Sequence, residues 1–492
     1  MTDRRIVVVG GGITGLSAAL RLRDRAGAKA RITVVDQADR LGGKLRTQPF
    51  PGGYAEAGAE AFLTTDRAGV ELAQRVGLGT ALRHPEPVPA ALAIDGELVP
   101  IPSGTLMGIP ADPASIADLA PVTGTDLDDG RPLLAPGADV PVGALVRSRL
   151  GAAVLDRLVD PLLGGVYAGR GDDLSLAATM PALAEACRTE PTLTGAVRAA
   201  LANRGASGGP VAGRGSSGGP VAGRGSSGGS VAGPGSSGGP VPGRASGGGP
   251  VFATVEGGMG RLVEAVVKAS GAELRLGAPV RNLRRTGTRW QVWVGDTVLD
   301  ADAVVLAVPA RPAARLLGDV SQAAAAQVGV LDYASVALVT LAVRGAKLPE
   351  LSGFLVPASQ GRAVKALTIF TSKWGHLARP DGLALLRASV GRYREEAVLH
   401  RTDENLAELV HAELGELLGA PLPEPEWVTV NRWGGALPQY APGHLDRVAA
   451  ARAELVDTQG IALAGAAYDG VGIPACVRSG WTAAERLLDS MA

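Results

Sequence analysis

The chain has 492 residues, with 48 Lys+Arg against 48 Asp+Glu, so no overall field gathers nucleic acid or an anionic membrane surface. That length suffices for two or three domains with substantial cores, and no apolar run reaches the roughly 18 residues of a spanning helix. Two distant cysteines, Cys187 and Cys476, and histidines at 84, 376, 400, 411 and 444 give neither a disulfide framework nor metal-ligand spacing, so no metal is expected.

The start, MTDRR, runs directly into an apolar segment, which predicts a cytoplasmic chain without a secretory leader. Ile6–Val9 reads as a strand buried on both faces. Gly10, Gly12 and Gly15 follow in the spacing G-x-G-x-x-G and open a helix over Ile13–Arg25. The first glycine permits the tight turn, the second lets backbone approach a pyrophosphate, and the third lets helix and strand pack closely. The helix N-terminus points its N–H groups and dipole at the anion. A second strand, Ile32–Val35, ends in Asp36, 21 residues after Gly15, where a carboxylate can hold ribose hydroxyls. This strand, turn, helix, strand, acid order predicts a dinucleotide site.

Further on, the small residues around Gly58 and Ala59 could bring backbone against a flat ligand. Glu60 reads either as a ribose or flavin contact or as a solvated loop charge. An amphipathic helix is expected over Thr65–Val76, and a hairpin over Leu92–Val99 turning at Asp95-Gly96. Val142–Leu163 has a helical pattern, followed by a small-residue turn over Gly164–Gly169. Residues 205–249 form a repeat of period ten, with Gly-Gly-Pro-Val at 208, 218, 238 and 248 and Gly-Gly-Ser-Val at 228. Its composition buries too little apolar surface to offset ordering entropy, so a disordered insert without catalytic role is expected.

Glu256–Leu262 leads into a helix to Ser270, then a strand at Glu273–Leu276 and a segment around Val280, a βαβ-like return to the nucleotide fold. Strands Trp290–Val294 and Ala303–Val308, an alternating stretch Ser335–Val343 and a helix Asp403–Leu418 follow. The last block, Gly460–Gly480, reads as a buried strand, a glycine-dense turn and a helix N-terminus able to face partial negative charge.

Arg40-Leu41-Gly42-Gly43-Lys44 resembles the extended signature of the flavin amine oxidase superfamily. Together with Gly164–Gly169, Glu256–Met259 and the terminal Gly-Val-Gly-Ile-Pro-x-Cys, the chain is similar to the FAD-dependent porphyrinogen oxidases of haem biosynthesis. The resemblance implies noncovalent FAD, with Gly10, Gly12, Ile13, Thr14, Gly15, Asp36 and Gln37 on its ADP half. Arg40, Gly42, Gly43 and Lys44 would lie near the phosphates, Gly58, Ala59 and Glu60 beside the ligand, and Val280 at the adenine. Gly465, Val471, Gly472 and Ile473 would run along the flavin. An arginine that some members carry before the Asp95-Gly96 turn is absent; Ala90, Ala91 and Ala93 stand there.

The implied fold is α/β: a Rossmann-type FAD-binding domain (1–80, 250–310 and 430–492) with an inserted α+β substrate-binding domain (81–204 and 311–429) that has a helical part. The implied reaction removes six electrons from coproporphyrinogen III, or protoporphyrinogen IX, with dioxygen as acceptor and peroxide as by-product. The resemblance also admits peripheral membrane contact at the inner face and handover of product to ferrochelatase. A flavin amine oxidase or carotenoid-type desaturase shares the same nucleotide blocks and is the alternative.

Overall fold

The computed structural model describes residues 4–207 and 250–491; the repeat from 208 to 249 lies outside the described residues. A five-stranded parallel sheet runs in the order Glu273–Arg275, Ala30–Val35, Arg4–Val9, Ala303–Leu306, Ile461–Leu463. Its strands read as continuous apolar runs because both faces are covered. Ile6 and Val8 pack with helices Ile13–Ala26, Met259–Ser270 and Ile473–Ser490, while Val7 and Val9 pack with Ala313, Leu316 and Trp290 on the opposite side. Hence three stretches remote in sequence build one nucleotide-type sheet.

A seven-stranded, mostly antiparallel sheet forms the second layer, in the order Trp427–Pro438, Tyr333–Arg344, Leu383–Val390, Val364–Ile369, Gly353–Leu355, Ala90–Ile94, Glu97–Pro100. The expected hairpin turns at Asp95 and Gly96, both with positive φ, as a two-residue hairpin requires. Alternation divides the sheet's faces: Val339, Leu341 and Val343 pack against Leu406, Val410 and Leu414 of helix Asp403–Leu417, while Val336 and Leu338 line a cavity on the other side. A separate helical core gathers residues from Leu106 to Ala200.

Several expectations need correction. The helix read over 142–163 is broken: Val142–Leu150 ends at Gly151, whose φ is +99°, and the chain restarts through a wide-pitched turn at Leu155–Val159. Periodicity could not reveal this, because Gly151 is required by crowding: a Cβ there would sit 2.3 Å from Thr123 Oγ1. The small-residue segment after it is the end of helix Asp160–Tyr167 and turns only at Ala168, which is left-handed at φ +51°. The boundary read at residue 430 falls inside strand Trp427–Pro438, paired along Tyr333–Arg344 in the large sheet. Helices Ala310–Leu317 and Gln322–Gly329 pack on the parallel sheet rather than with the residues that follow them.

Candidate active site

Two glycine loops lie side by side at the C-terminal end of the parallel sheet. Gly12 bridges Gly42, and the Gly42 N–H donates to the Gly11 carbonyl at 2.8 Å. A Cβ on Gly15 would lie 1.9 Å from the Gly10 carbonyl oxygen, so glycine there sets how closely helix Ile13–Ala26 follows its strand. The Asp36 carboxylate braces this turn: Oδ2 accepts the Gly11 N–H at 2.6 Å and Oδ1 the Ala38 N–H at 2.8 Å. Gln37 beside it is exposed. The segment before Val280 returns to the same place, since Ala278 N–H donates to the Asp36 carbonyl at 2.9 Å. Arg40 donates to the Gly43 carbonyl at 2.8 Å and lies over the Trp433 ring at 5.6 Å; burial pulls its pKa down.

At the other end, helix Ile473–Ser490 starts on Gly472 (φ +117°) and crosses the first helix where Gly480 permits it; a Cβ there would be 2.3 Å from the Thr14 carbonyl oxygen. The Thr14 side chain hydrogen-bonds Cys476, whose thiol burial pushes up. Two helix N-termini, at Gly12 and at Gly472, thus face one space. The glycines around it leave that space open: a Cβ on Gly465 or Gly472 would meet no protein atom within 4 Å, and one on Gly12 only Gly43 Cα at 3.9 Å. An extended anionic ligand with a flat end fits this cradle.

A cavity of about 450 Å³ lies against the seven-stranded sheet, with Lys44 of the second glycine loop in its lining. Lys44, Gly58 and Ala59 line its nucleotide side; Lys365, Lys373, Arg387 and Trp433 line the sheet side, with apolar residues such as Val336, Leu338, Phe354 and Leu355 between. Lys44 is exposed there, 5.9 Å from the Tyr333 ring, and the protein packed around it lowers its pKa. Gly58 is obligatory, since a Cβ would sit 2.0 Å from the Lys44 carbonyl oxygen.

Glu60 is not a solvated loop charge. It is buried, and its Oε1 accepts from Lys373 Nζ at 2.5 Å while Oε2 accepts from Arg387 Nη2 at 2.5 Å. Burial alone would raise its pKa, but the two cations outweigh that and hold it low. Arg387 also donates to the carbonyls of Glu56 (2.9 Å) and Gly58 (2.7 Å), tying the large sheet to the nucleotide loops. Lys365, Lys373, Arg387 and Trp433 were not singled out in the sequence; three come from strands and Lys373 from the short helix Phe370–Lys373, far from any motif, and no local signal marks them. Among the described residues there is no group of His, Cys, Asp or Glu able to hold a metal.

A profile of flavin-containing amine oxidoreductases matches residues 13–488. The chain belongs to that flavin-containing amine oxidoreductase family. The family fixes the cofactor as FAD, and the cradle between the two helix N-termini fits it. The chain is 36% identical to coproporphyrinogen III oxidase of Mycobacterium bovis over 100% of its own length and 99% of the relative's. It is 28% identical to coproporphyrinogen III oxidase of Bacillus subtilis, with 97% and 96% covered. Among solved structures, an Exiguobacterium protein superposes with a TM-score of 0.79 at 30% identity over 99% of each chain. Cyclohexylamine oxidase from Brevibacterium oxydans gives 0.66 at 17%, over 99% of each, which shows the shared fold alone. The chain is thus a flavin oxidoreductase with the amine-oxidase fold. Among the described residues, no helix is long and apolar enough to cross a membrane.

Proposed function

We propose that this enzyme oxidises coproporphyrinogen III to coproporphyrin III, with protoporphyrinogen IX as a second substrate. One observation carries the reading beyond family likeness: the described cavity lining holds Lys44, Lys365, Lys373 and Arg387 and no aspartate, glutamate or histidine. Such a wall suits a polyanion with an apolar body and disfavours the cationic amines of the alternative reading. Coproporphyrinogen carries four carboxylates and protoporphyrinogen two, which supports the former as the preferred substrate.

In this reading Gly10, Gly12, Ile13, Thr14, Gly15, Asp36 and Gln37 take the ADP half of FAD, and Val280 borders the adenine. Arg40, Gly42, Gly43 and Lys44 lie along the pyrophosphate and beyond, and Gly58, Ala59, Gly465, Val471, Gly472 and Ile473 flank the flavin. Glu60 fixes Lys373 and Arg387 at the junction. The parallel sheet with its helices is the FAD domain and the seven-stranded sheet with the helical core the substrate domain. Bound noncovalently, FAD supplies hydride acceptance, with dioxygen as final oxidant and peroxide as by-product. The residues supply position: Phe354, Leu355 and Leu338 exclude water and present the macrocycle's apolar body, while the cations hold its acidic edge. A cytoplasmic site, peripheral membrane contact and handover to ferrochelatase complete the proposal.

The test is the growth of porphyrin fluorescence in air when FAD-loaded protein receives coproporphyrinogen III or protoporphyrinogen IX. A rate well above autoxidation, larger with coproporphyrinogen III, is expected. Oxidation of putrescine or cyclohexylamine without porphyrinogen turnover would sink the reading.

A further inference from the structure

We infer that Lys365 is the anchor for a carboxylate of the substrate and a determinant of preference for the more acidic porphyrinogen. The inference rests on the porphyrinogen reading of the site and adds a residue that no motif marks.

Strand Val364–Ile369 pairs with Leu383–Val390 irregularly: Val364 faces Val390, but Ala366 already faces Ser389. One extra residue, Lys365, stands in that step, the arrangement of a β-bulge, which re-aims a side chain that regular alternation would point elsewhere. The bulge is held from both sides. The Glu413 carboxylate accepts the Ala363 and Val364 N–H groups at 3.0 and 2.8 Å, and Val356 N–H donates to the Lys365 carbonyl at 2.9 Å. Arg392 donates to the Val356 and Arg362 carbonyls on the flanking backbone.

So positioned, Lys365 lines the cavity at only 6% exposure. Its ammonium donates to the Gly164 carbonyl at 3.3 Å, and among the described residues it makes no ion pair. Lys373 and Arg387, on the same wall, share Glu60. A buried ammonium without a counter-charge is costly to fold around, and among the described residues only the Gly164 carbonyl offsets it. Burial, with Arg392 adding like charge, lowers its pKa to about 7. An arriving carboxylate supplies the missing partner, restores the ammonium and forms a charge-assisted hydrogen bond in a dry setting.

The experiment uses FAD-loaded full-length protein and the variants Lys365→Met, Lys365→Gln and Lys365→Arg. In Lys365→Met the KM for coproporphyrinogen III should rise about 10- to 100-fold, the range of a charged hydrogen bond, with kcat within about twofold. Lys365→Arg should recover part of the loss. The melting temperature without substrate should hold or rise in Lys365→Met, since a stranded charge is removed; a purely structural lysine would do the reverse. Lys365→Gln keeps a donor for Gly164 and answers the same question if Lys365→Met does not fold. Binding of coproporphyrin III against its tetramethyl ester, read by fluorescence quenching, separates this inference from the activity itself. Wild type should prefer the acid, and in the Met and Gln variants that preference should shrink even if no porphyrinogen is turned over. Unchanged KM and unchanged acid preference in both variants would overturn the role of Lys365 while leaving the proposed activity standing.

Discussion

Arg387 Nη2 lies 2.5 Å from Glu60 Oε2, and the same guanidinium holds the Glu56 and Gly58 carbonyls. One ion pair therefore joins the seven-stranded sheet to the loop beside the nucleotide. Glu60 also carries Lys373, and all three side chains are largely buried, at 9%, 12% and 21% exposure. Glu60→Gln leaves two cations without their carboxylate and should cost about 3–5 kcal/mol, read as a lower urea midpoint of the FAD-loaded protein. The sign with pH follows from the lowered carboxyl pKa. The stabilisation is present above about pH 4.5, the unfolded value, and is lost as pH falls through the lower folded one.

Gly12 and Gly15 should separate cofactor binding from folding. Gly15→Ala drives a Cβ into the Gly10 carbonyl and should lower both melting temperature and FAD content. Gly12→Ala has ordinary backbone angles (φ −72°) and room around it, so the FAD-stripped protein should melt as wild type does. Its affinity for FAD should nonetheless fall about tenfold or more, because the methyl enters the space meant for the ligand. Flavin titration with calorimetry checks both; equal flavin affinity in Gly12→Ala would move the cofactor elsewhere.

Glu56 gives a pH prediction of opposite sign to Glu60. It is buried, with Oε1 accepting from Met259 N–H (2.6 Å) and Thr47 Oγ1 (2.9 Å) and Oε2 without a partner. Desolvation raises its pKa to about 7. The folded state thus binds the extra proton between about pH 4.5 and 7, and stability from this group falls as pH rises through that window. Glu56→Gln should match wild type near pH 5 and exceed it by about 1–3 kcal/mol at pH 8 in denaturant titrations.

Cys476 sits in the first turn of the helix that starts at Gly472, yet burial raises its thiol pKa and leaves it a poor nucleophile. Acid precipitation should release all flavin into the supernatant, and Cys476→Ala should keep full FAD content. Yellow colour retained in the pellet of wild type but not of the variant would show a covalent link.

The nucleotide half was legible in the sequence because its signals are local. Gly10, Gly12, Gly15 and Asp36 declare themselves by spacing, and the structure brings them together around one turn. The cavity wall was not. Lys365 and Arg387 come together through strand pairing and Lys373 through the short helix that follows, and Lys365 owes its direction to a one-residue bulge that no periodicity records. Glu60 was noticed, but its ion-pair partners could not be read from its surroundings in sequence, since they lie 313 and 327 residues away. Gly151 likewise broke an apparently continuous helix for a reason that resides in the contact with Thr123.

The parallel sheet has a consequence for how the enzyme comes to be loaded. Its first crossover, with both strands and the intervening helix, is contiguous over Arg4–Val35, whereas the edge strand Ile461–Leu463 and the helix starting at Ile473 lie far along the chain. The Gly10–Gly15 turn and its flanking strands can therefore form from local contacts. The wall at Gly472 waits on long-range pairing, so closing the cradle falls to the slow, non-local step of folding.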